Sequence, residues 1–232
     1  MDIKAVAFDV GETLVYYNNS LNWQDLYPSA IKQIMAVCNM DYDINADKIA
    51  RKILEKYNTR VNFREYEVSS DIIFSEILDG WQMSMDKLEV SKQAFYSYFQ
   101  KGAKCYDDAE LVLQSLKNIG IKVGILTDVA YGMDNKYALS DISSIQEHID
   151  ICLTSNDVRY RKPHTKGYLI LQEYFNVANN QIAFVGNEEK DIIGANNAGF
   201  ISVLIKRDDT EKNWGQKFTV FNLSEILDIV KQ

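Results

Sequence analysis

The residues of this chain that could do chemistry are few and scattered. Asp9 ends a short apolar run, and Thr13 follows it four residues later. Further on come Thr127-Asp128, a Lys162-Pro163 pair, and the run Gly186-Asn187-Glu188-Glu189-Lys190-Asp191. A carboxylate at a strand end can serve as a nucleophile. A lysine ammonium is a compact point charge suited to an anionic group, and carboxylate or amide oxygens suit a hard divalent cation. To act together, these side chains must be gathered from both ends of the sequence.

The elements that could gather them can be read from periodicity. Residues 4–8 read as a buried strand feeding a polar turn at Asp9-Val10-Gly11-Glu12-Thr13. From there to about residue 103 nothing reads as a buried strand. Helical spacing takes over instead: Ile31, Ile34, Met35 and Cys38; Ile49, Ile53 and Leu54; Ile72, Ile73, Ile77 and Leu78; Phe95, Tyr98 and Phe99. After residue 103 the pattern alternates: helix 107–118 stopped at Gly120, strand 122–126, a helical segment near 134–148, strand 150–153, and helix 165–175. Strand 182–185, helix 189–198, strand 201–205 and a last helix 223–230 follow.

Strands separated by helices predict an α/β fold with a Rossmann-like, doubly wound parallel sheet and right-handed crossovers. The core is expected at 1–15 and 104–232, with an all-helical cap inserted at 16–103. In such sheets the ligand sits beyond the carboxyl ends of the strands, where strand order reverses. Asp9, Thr127-Asp128 and the 186–191 run all fall at predicted strand ends.

Composition narrows the partners. The 232 residues hold 33 acidic and 25 basic side chains, a net charge of −8, and the pI is about 4.9. That balance argues against nucleic acid. The 47% apolar content is that of a globular protein with a real core. No run reaches the ~18 apolar residues of a membrane span, and the apolar run before Asp9 is too short for a signal peptide. Cys38, Cys105 and Cys152 show no metal-binding spacing. A reducing, cytoplasmic setting is expected, with no membrane partner and a monomeric or homodimeric state.

The ordered set Asp9 with Thr13, strand-end Thr127, Lys162-Pro163 and Gly186-Asn187-x-x-x-Asp191 resembles the haloacid dehalogenase-like hydrolase superfamily. That family carries Asp-x-Asp-x-Thr, a strand-end Thr or Ser, a Lys, and Gly-Asp-x-x-x-Asp in this order. The resemblance covers essentially the whole chain, including the helical cap after the first motif. It implies Asp9 as the nucleophile that forms an aspartyl-phosphate, with Thr127 and Lys162 as catalytic and substrate-binding groups. Thr13 and Asp128 are further substrate-binding candidates. It also implies Mg²⁺ held by Asp9, the main-chain carbonyl of Gly11, Asn187 and Asp191. The small residues Gly194, Ala195, Ala198 and Gly199 would let the last motif's helix pack closely on the sheet.

Two positions depart from the family pattern. Where its phosphatases carry a second aspartate, a general acid to the leaving alkoxide, this chain has Gly11. Losing positioned acid–base catalysis typically costs about 10²–10⁴-fold, so alkyl phosphates should suffer most. Glu12 and Asp128 are the neighbouring carboxyl candidates. Asn187 replaces the first acidic residue of the last motif, which removes a negative charge and predicts weak magnesium binding.

The expected function is therefore a Mg²⁺-dependent phosphatase acting on a small phosphorylated molecule. The alternatives are a carbon–halogen or phosphonate-cleaving relative, and a degenerate member that binds a phosphometabolite or partner without turnover. No arginine lies near the first motif to cradle a halide. Arg161 reads as solvent-exposed, and neither His148 nor His164 is assigned a role. Of the aromatics Tyr16, Tyr17, Trp23, Tyr27, Tyr57, Phe63, Tyr66, Phe74 and Trp81, most are expected in the cap core and a few in a substrate lid.

Overall fold

The structure is a computed structural model that describes residues 2–18, 23–208 and 210–231. Its eight strands are β1 (Ala5–Phe8), β2 (Val15–Tyr16), β3 (Lys104–Cys105), β4 (Lys122–Thr127), β5 (Ile151–Thr154), β6 (Ile182–Gly186), β7 (Ile201–Ile205) and β8 (Phe218–Val220). Helices α1 (Tyr27–Val37), α2 (Ile44–Tyr57), α3 (Ser70–Gly80) and α4 (Leu88–Phe99) lie between β2 and β3. The rest are α5 (Asp107–Asn118), α6 (Asn135–Ala138), α7 (Ser155–Val158), α8 (Lys166–Phe175), α9 (Glu189–Asn197) and α10 (Ile226–Val230).

Six strands form one parallel sheet in the order β5-β4-β1-β6-β7-β8. The chain builds outward from β1 in both directions, so strand order reverses there and a crevice opens at the carboxyl ends of β1, β4 and β6. Period-two alternation sends Val6 and Phe8 to one face, under α5, α10 and residues 139–148. Ala5 and Ala7 point to the other face, under α8 and α9. Helices on both faces are what a fully buried parallel sheet requires.

Local sequence explains the helices. Asp43 caps α2 by accepting from the amides of Asn45 (2.8 Å) and Ala46 (2.7 Å). Its apolar stripe of Ala46, Ala50, Leu54 and Tyr57 is buried. Helix α5 opens on Asp107, Asp108 and Glu110 and closes on Lys117, in the sense the macrodipole favours. Helix α9 packs so closely that a Cβ on Gly194 would lie 2.5 Å from Tyr168 Oη.

The inserted helices have their own core around Tyr27, Ile31, Phe74, Phe95 and Tyr96, which also takes in Val129, Tyr131 and Met133 from the segment after β4. That shared core, each large side chain contributing about 1.5–3 kcal/mol, seats the helical layer over the carboxyl end of β4. The insertion leaves and rejoins the sheet through the antiparallel pair β2–β3. Two residues per strand are too few for periodicity to reveal.

Two expectations are corrected, and one strand escaped the sequence reading. The segment read as a helix near 134–148 is a single α turn followed by 3₁₀ structure over Leu139–His148. The last helix is 3₁₀ over Leu223–Glu225 before α10. Strand β8, three residues on the sheet edge, has too little apolar sequence to stand out. Among the described residues, no helix is long and apolar enough to cross a membrane.

Candidate active site

A cavity of about 330 Å³ lies where the helical layer covers the sheet's carboxyl edge. Its floor holds Asp9, Gly11, Thr127, Asp128 and Lys162, and its roof holds Trp23, Tyr57, Arg60, Phe63, Phe99 and Gln100. The volume is at the small end for ligand sites.

Asp9 is fixed at the end of β1 by its amide, which donates to Val185 O (2.9 Å) across the sheet. Its carboxylate meets the ammonium of Lys162, with Nζ 2.6 Å from Asp9 Oδ1 and 2.7 Å from Asp191 Oδ1. Lys162 Nζ also donates to Leu126 O (3.2 Å). Burial pushes the Asp9 carboxyl up to about 6, with Lys162 opposing and Asp191 reinforcing the rise. Burial alone would lower the Lys162 ammonium, but Asp191 and Asp9 outweigh it and hold the charge firmly.

Asp191, expected as a metal ligand, is fully buried under Lys162. Its Oδ2 accepts from the amides of Asn187 (3.1 Å) and Glu188 (2.9 Å), capping α9. One of its oxygens is thus on the lysine and the other on the helix cap. Gly186 makes this fit possible, since a Cβ there would lie 2.4 Å from Asp191 Cβ.

Thr13, expected to bind substrate, is fully buried and does not line the cavity. Its hydroxyl donates to Asn187 Oδ1 (3.3 Å), and its carbonyl accepts from Arg207 Nη2 (2.9 Å). Thr127 ends β4 at the cavity wall. Asp128 also lines the wall but is committed to cations: Oδ2 is 3.1 Å from Lys190 Nζ and 3.8 Å from Arg161 Nη2. Burial would raise its carboxyl, but Lys190, Arg161 and Lys162 together hold it well below the usual range.

Arg161 is buried, contrary to the sequence expectation. The reason is Glu67, from the loop after α2, whose carboxylate accepts from Arg161 Nη1 and from Ser155 Oγ (2.6 Å). Arg161 also donates to Val129 O (2.8 Å). Main-chain bonds from Arg161 N to Glu65 O (2.7 Å) and from Glu67 N to Arg159 O (3.1 Å) complete this clamp between the helical layer and the core.

Arginines do reach the site, again contrary to expectation: Arg60 and Arg161 both line the cavity. Arg60 Nη2 is 2.8 Å from Glu188 Oε1, and Lys190 Nζ is 2.9 Å from Glu188 Oε2. Burial raises the Glu188 carboxyl, yet Lys190 and Arg60 bring it down to about 2. Glu12 turns away from the cavity, its carboxylate accepting from Tyr17 N (3.3 Å) and Tyr106 Oη (2.9 Å). His164 lies in a turn, its ring stacked on Tyr160 and its Nδ1 accepting from Lys166 N (3.2 Å).

Sequence reasoning missed Arg60, Gln100, Asp141, Glu188 and Lys190 at the cavity wall. Only Glu188 and Lys190 carried a signal, by lying inside the 186–191 run. Four of the nine aromatics singled out above, Tyr17, Trp23, Tyr57 and Phe63, line the cavity, a larger share than expected. The edge of the inserted helices' core doubles as the cavity roof, where Trp23 stacks on Phe99 with ring centroids 3.9 Å apart.

The donor set suits a hard divalent cation. Among the described residues no cluster of three acidic, histidine or cysteine side chains could hold a metal. The cavity is lined by Asp9 and Gly11; the Asn187 amide oxygen lies outside that lining, accepting from the Thr13 hydroxyl. Such an oxygen set leaves positions for water, the habit of magnesium. Each cation of the cavity wall, Arg60, Arg161, Lys162 and Lys190, is already ion-paired with a carboxylate. An entering dianion would therefore need a further cation to offset its charge.

Comparison with known proteins gives the family. A family profile for haloacid dehalogenase-like hydrolases matches residues 3–199. A (S)-2-haloacid dehalogenase 4A of Burkholderia cepacia is 27% identical over 176 residues, covering 70% of this chain and 74% of its own. A glyceraldehyde 3-phosphate phosphatase of Methanopyrus kandleri is 25% identical over 240 residues, covering 99% and 98%. Among solved structures, a 2-haloacid dehalogenase of Pseudomonas syringae shares the fold at TM-score 0.66 and 17% identity, covering 99% of this chain and 98% of its own. A phosphatase of Thermococcus onnurineus does so at 0.64 and 19%, covering 98% of each. With a profile matching most of its length and Asp9, Thr127 and Lys162 at its sheet's carboxyl edge, the chain belongs to the haloacid dehalogenase-like hydrolases.

Proposed function

We propose that this hydrolase is a magnesium-dependent phosphatase that acts on a small phosphomonoester through an aspartyl-phosphate on Asp9. The observation that carries this reading is the Lys162 ammonium set between Asp9 and Asp191 at the end of β1, directly beneath the cavity. A fixed buried cation beside a nucleophilic carboxylate lowers the repulsion between that carboxylate and an incoming phosphate.

In the first step an oxygen of Asp9 bonds to phosphorus and the ester oxygen departs with its bonding pair. In the second, water attacks the same phosphorus and Asp9 is released as carboxylate. Lys162 holds Asp9 in place through both steps, and Thr127 offers a hydroxyl to the phosphoryl oxygens at the cavity wall. The ligands proposed for Mg²⁺ are Asp9, the Gly11 carbonyl and Asn187; Asp191, the fourth expected ligand, is taken up by Lys162 and the amides of Asn187 and Glu188 and supports the others. When bound, the ion neutralises phosphate charge and orients it toward Asp9. The cap helices' aromatic roof favours an ester with an apolar or flat organic part, and the named phosphatase relative supports the reaction class.

A second reading, attack of Asp9 on a halogen-bearing carbon, is favoured by Gly11, which leaves that side of Asp9 without a second carboxylate, and by the dehalogenase relative. The deciding experiment measures p-nitrophenol release from its phosphate ester with millimolar magnesium, beside halide release from 2-chloropropanoate. Both are repeated with Asp9→Asn. Asp9-dependent phosphate release supports the phosphatase; Asp9-dependent halide release alone replaces it with the second reading. Activity on neither substrate points to a binding protein.

A further inference from the structure

The position left without a side chain at Gly11 has an unexpected neighbour. A Cβ built on Gly11 would find Tyr17 Cε2 as its nearest heavy atom, at 3.7 Å, and nothing in the Gly11 backbone demands glycine. The ring of Tyr17 thus borders the space that the family's second aspartate would enter. Its hydroxyl donates to Asp141 Oδ2 (2.9 Å), and Asp141 Oδ1 accepts from Gln100 Nε2 (3.0 Å). Tyr17, Asp141 and Gln100 all line the cavity that holds Asp9.

Asp141 differs from the other carboxylates of that wall. Asp9 pairs with Lys162, Asp128 with Lys190 and Arg161, and Glu188 with Arg60 and Lys190. Asp141 makes no ion pair among the described residues; its partners are a phenol and an amide. Burial raises its carboxyl above the ordinary range, with the bonds from Tyr17 and Gln100 opposing. Among the wall carboxyls it is the one that no cation holds in its charged form.

Glu12, the neighbouring departure from the family pattern, ties into the same arrangement. Its φ of 54° lies in the left-handed region, which costs a residue with a side chain about 1 kcal/mol or more. Its carboxylate accepts from the Tyr17 amide and the Tyr106 hydroxyl, fixing the main chain from which Tyr17 projects. Gly11 opens the space, and Glu12 secures the residue that borders it.

We propose that Tyr17 and Asp141 form a proton relay that serves the leaving group in place of the aspartate missing at position 11. The relay rests on the phosphatase reading. As the Asp9–phosphorus bond forms and the ester bond breaks, the departing oxygen takes the bonding pair and the Tyr17 hydroxyl proton. For this step the protonated Asp141 carboxyl donates to the Tyr17 oxygen, the reverse of the bond Tyr17 makes to the carboxylate, and passes its proton to that oxygen as the Tyr17 proton leaves. When water attacks the aspartyl-phosphate, its proton returns through Tyr17 to the Asp141 carboxylate, so each cycle consumes ester and water and yields alcohol and phosphate.

The test compares benzyl phosphate, whose alkoxide leaving group needs protonation, with p-nitrophenyl phosphate, whose leaving group does not. Tyr17→Phe and Asp141→Asn are each expected to lower benzyl phosphate turnover about 10²-fold or more. That loss should be at least about tenfold larger than the loss on the aryl ester. Adding Gly11→Asp to Tyr17→Phe should restore the benzyl ester selectively, an effect that a merely structural role for Tyr17 would not give. Equal losses on both esters, or none, in variants with wild-type circular dichroism overturn the relay and leave the phosphatase standing. No Asp9-dependent turnover of either ester by the wild type overturns both.

Discussion

Removing the Lys162 ammonium while keeping the bulk of its stem, as in Lys162→Met, tests the electrostatic reasoning behind the site most directly. The side chain is 1% exposed, and its Nζ lies 2.6 Å from Asp9 and 2.7 Å from Asp191. At an effective dielectric of about 20 each attraction is worth about 6 kcal/mol before desolvation. Burying the ammonium offsets several kcal/mol of that. The variant leaves two carboxylates close together without their cation, and breaking a buried pair in this way typically costs about 3–5 kcal/mol.

At roughly 2–4 °C per kcal/mol for a chain of this size, Tm should fall by about 6–20 °C at pH 8. The two carboxylates can then both persist only by sharing a proton. The variant's folded state binds a proton that its unfolded state, titrating near 4, has already lost. Its deficit relative to wild type should therefore shrink as pH drops from 8 to 5. Thermal unfolding followed by circular dichroism in EDTA, at several pH values, reads this directly. The double variant Lys162→Met/Asp9→Asn should recover part of the loss at pH 8. A Tm within 2 °C of wild type at pH 8 would refute the reasoning, as would a deficit independent of pH.

Three further outcomes follow from the same geometry. Because burial raises Asp9 from 3.8 to about 6, the folded state binds more protons than the unfolded one in that window. The metal-free protein should thus lose stability as pH rises through it, and Asp9→Asn should flatten that slope in urea titrations. Asn187→Asp restores a negative charge to the expected ligand set and should tighten magnesium binding about tenfold in a calorimetric titration; binding no tighter than wild type would remove Asn187 from the set. Glu67→Ala would leave the buried Arg161 guanidinium with only Val129 O and the more distant Asp128 and remove the carboxylate beside Arg64, costing about 3–5 kcal/mol in denaturant unfolding, with Glu67→Gln less severe.

Much of this protein was legible in one dimension because two signals in it are local. Apolar runs such as Ala5–Phe8 and Ile201–Ile205 must be strands buried on both faces, and their alternation with amphipathic helices leaves a parallel sheet as the economical solution. Strand ends then identify Asp9 and Thr127, since carboxyl ends face the crevice. Asp191 and Arg161 show the limit of such reading. Each is a charged residue whose burial is set by a partner elsewhere in the chain, Lys162 for one and Glu67 for the other.

Tertiary structure alone decided the wall of the site. Tyr17 and Asp141 are 124 positions apart, and Gln100 approaches them from the end of α4. No period or motif links them, because a hydrogen bond across a cavity depends on how two elements dock and not on the spacing within either. The same holds for Arg60 over Glu188. The sequence determined the sheet and the place of Asp9 at its edge, through burial patterns that each segment carries by itself. The fold decided which distant polar groups share the cavity with Asp9, because only packing of the inserted helices on the core brings them within reach.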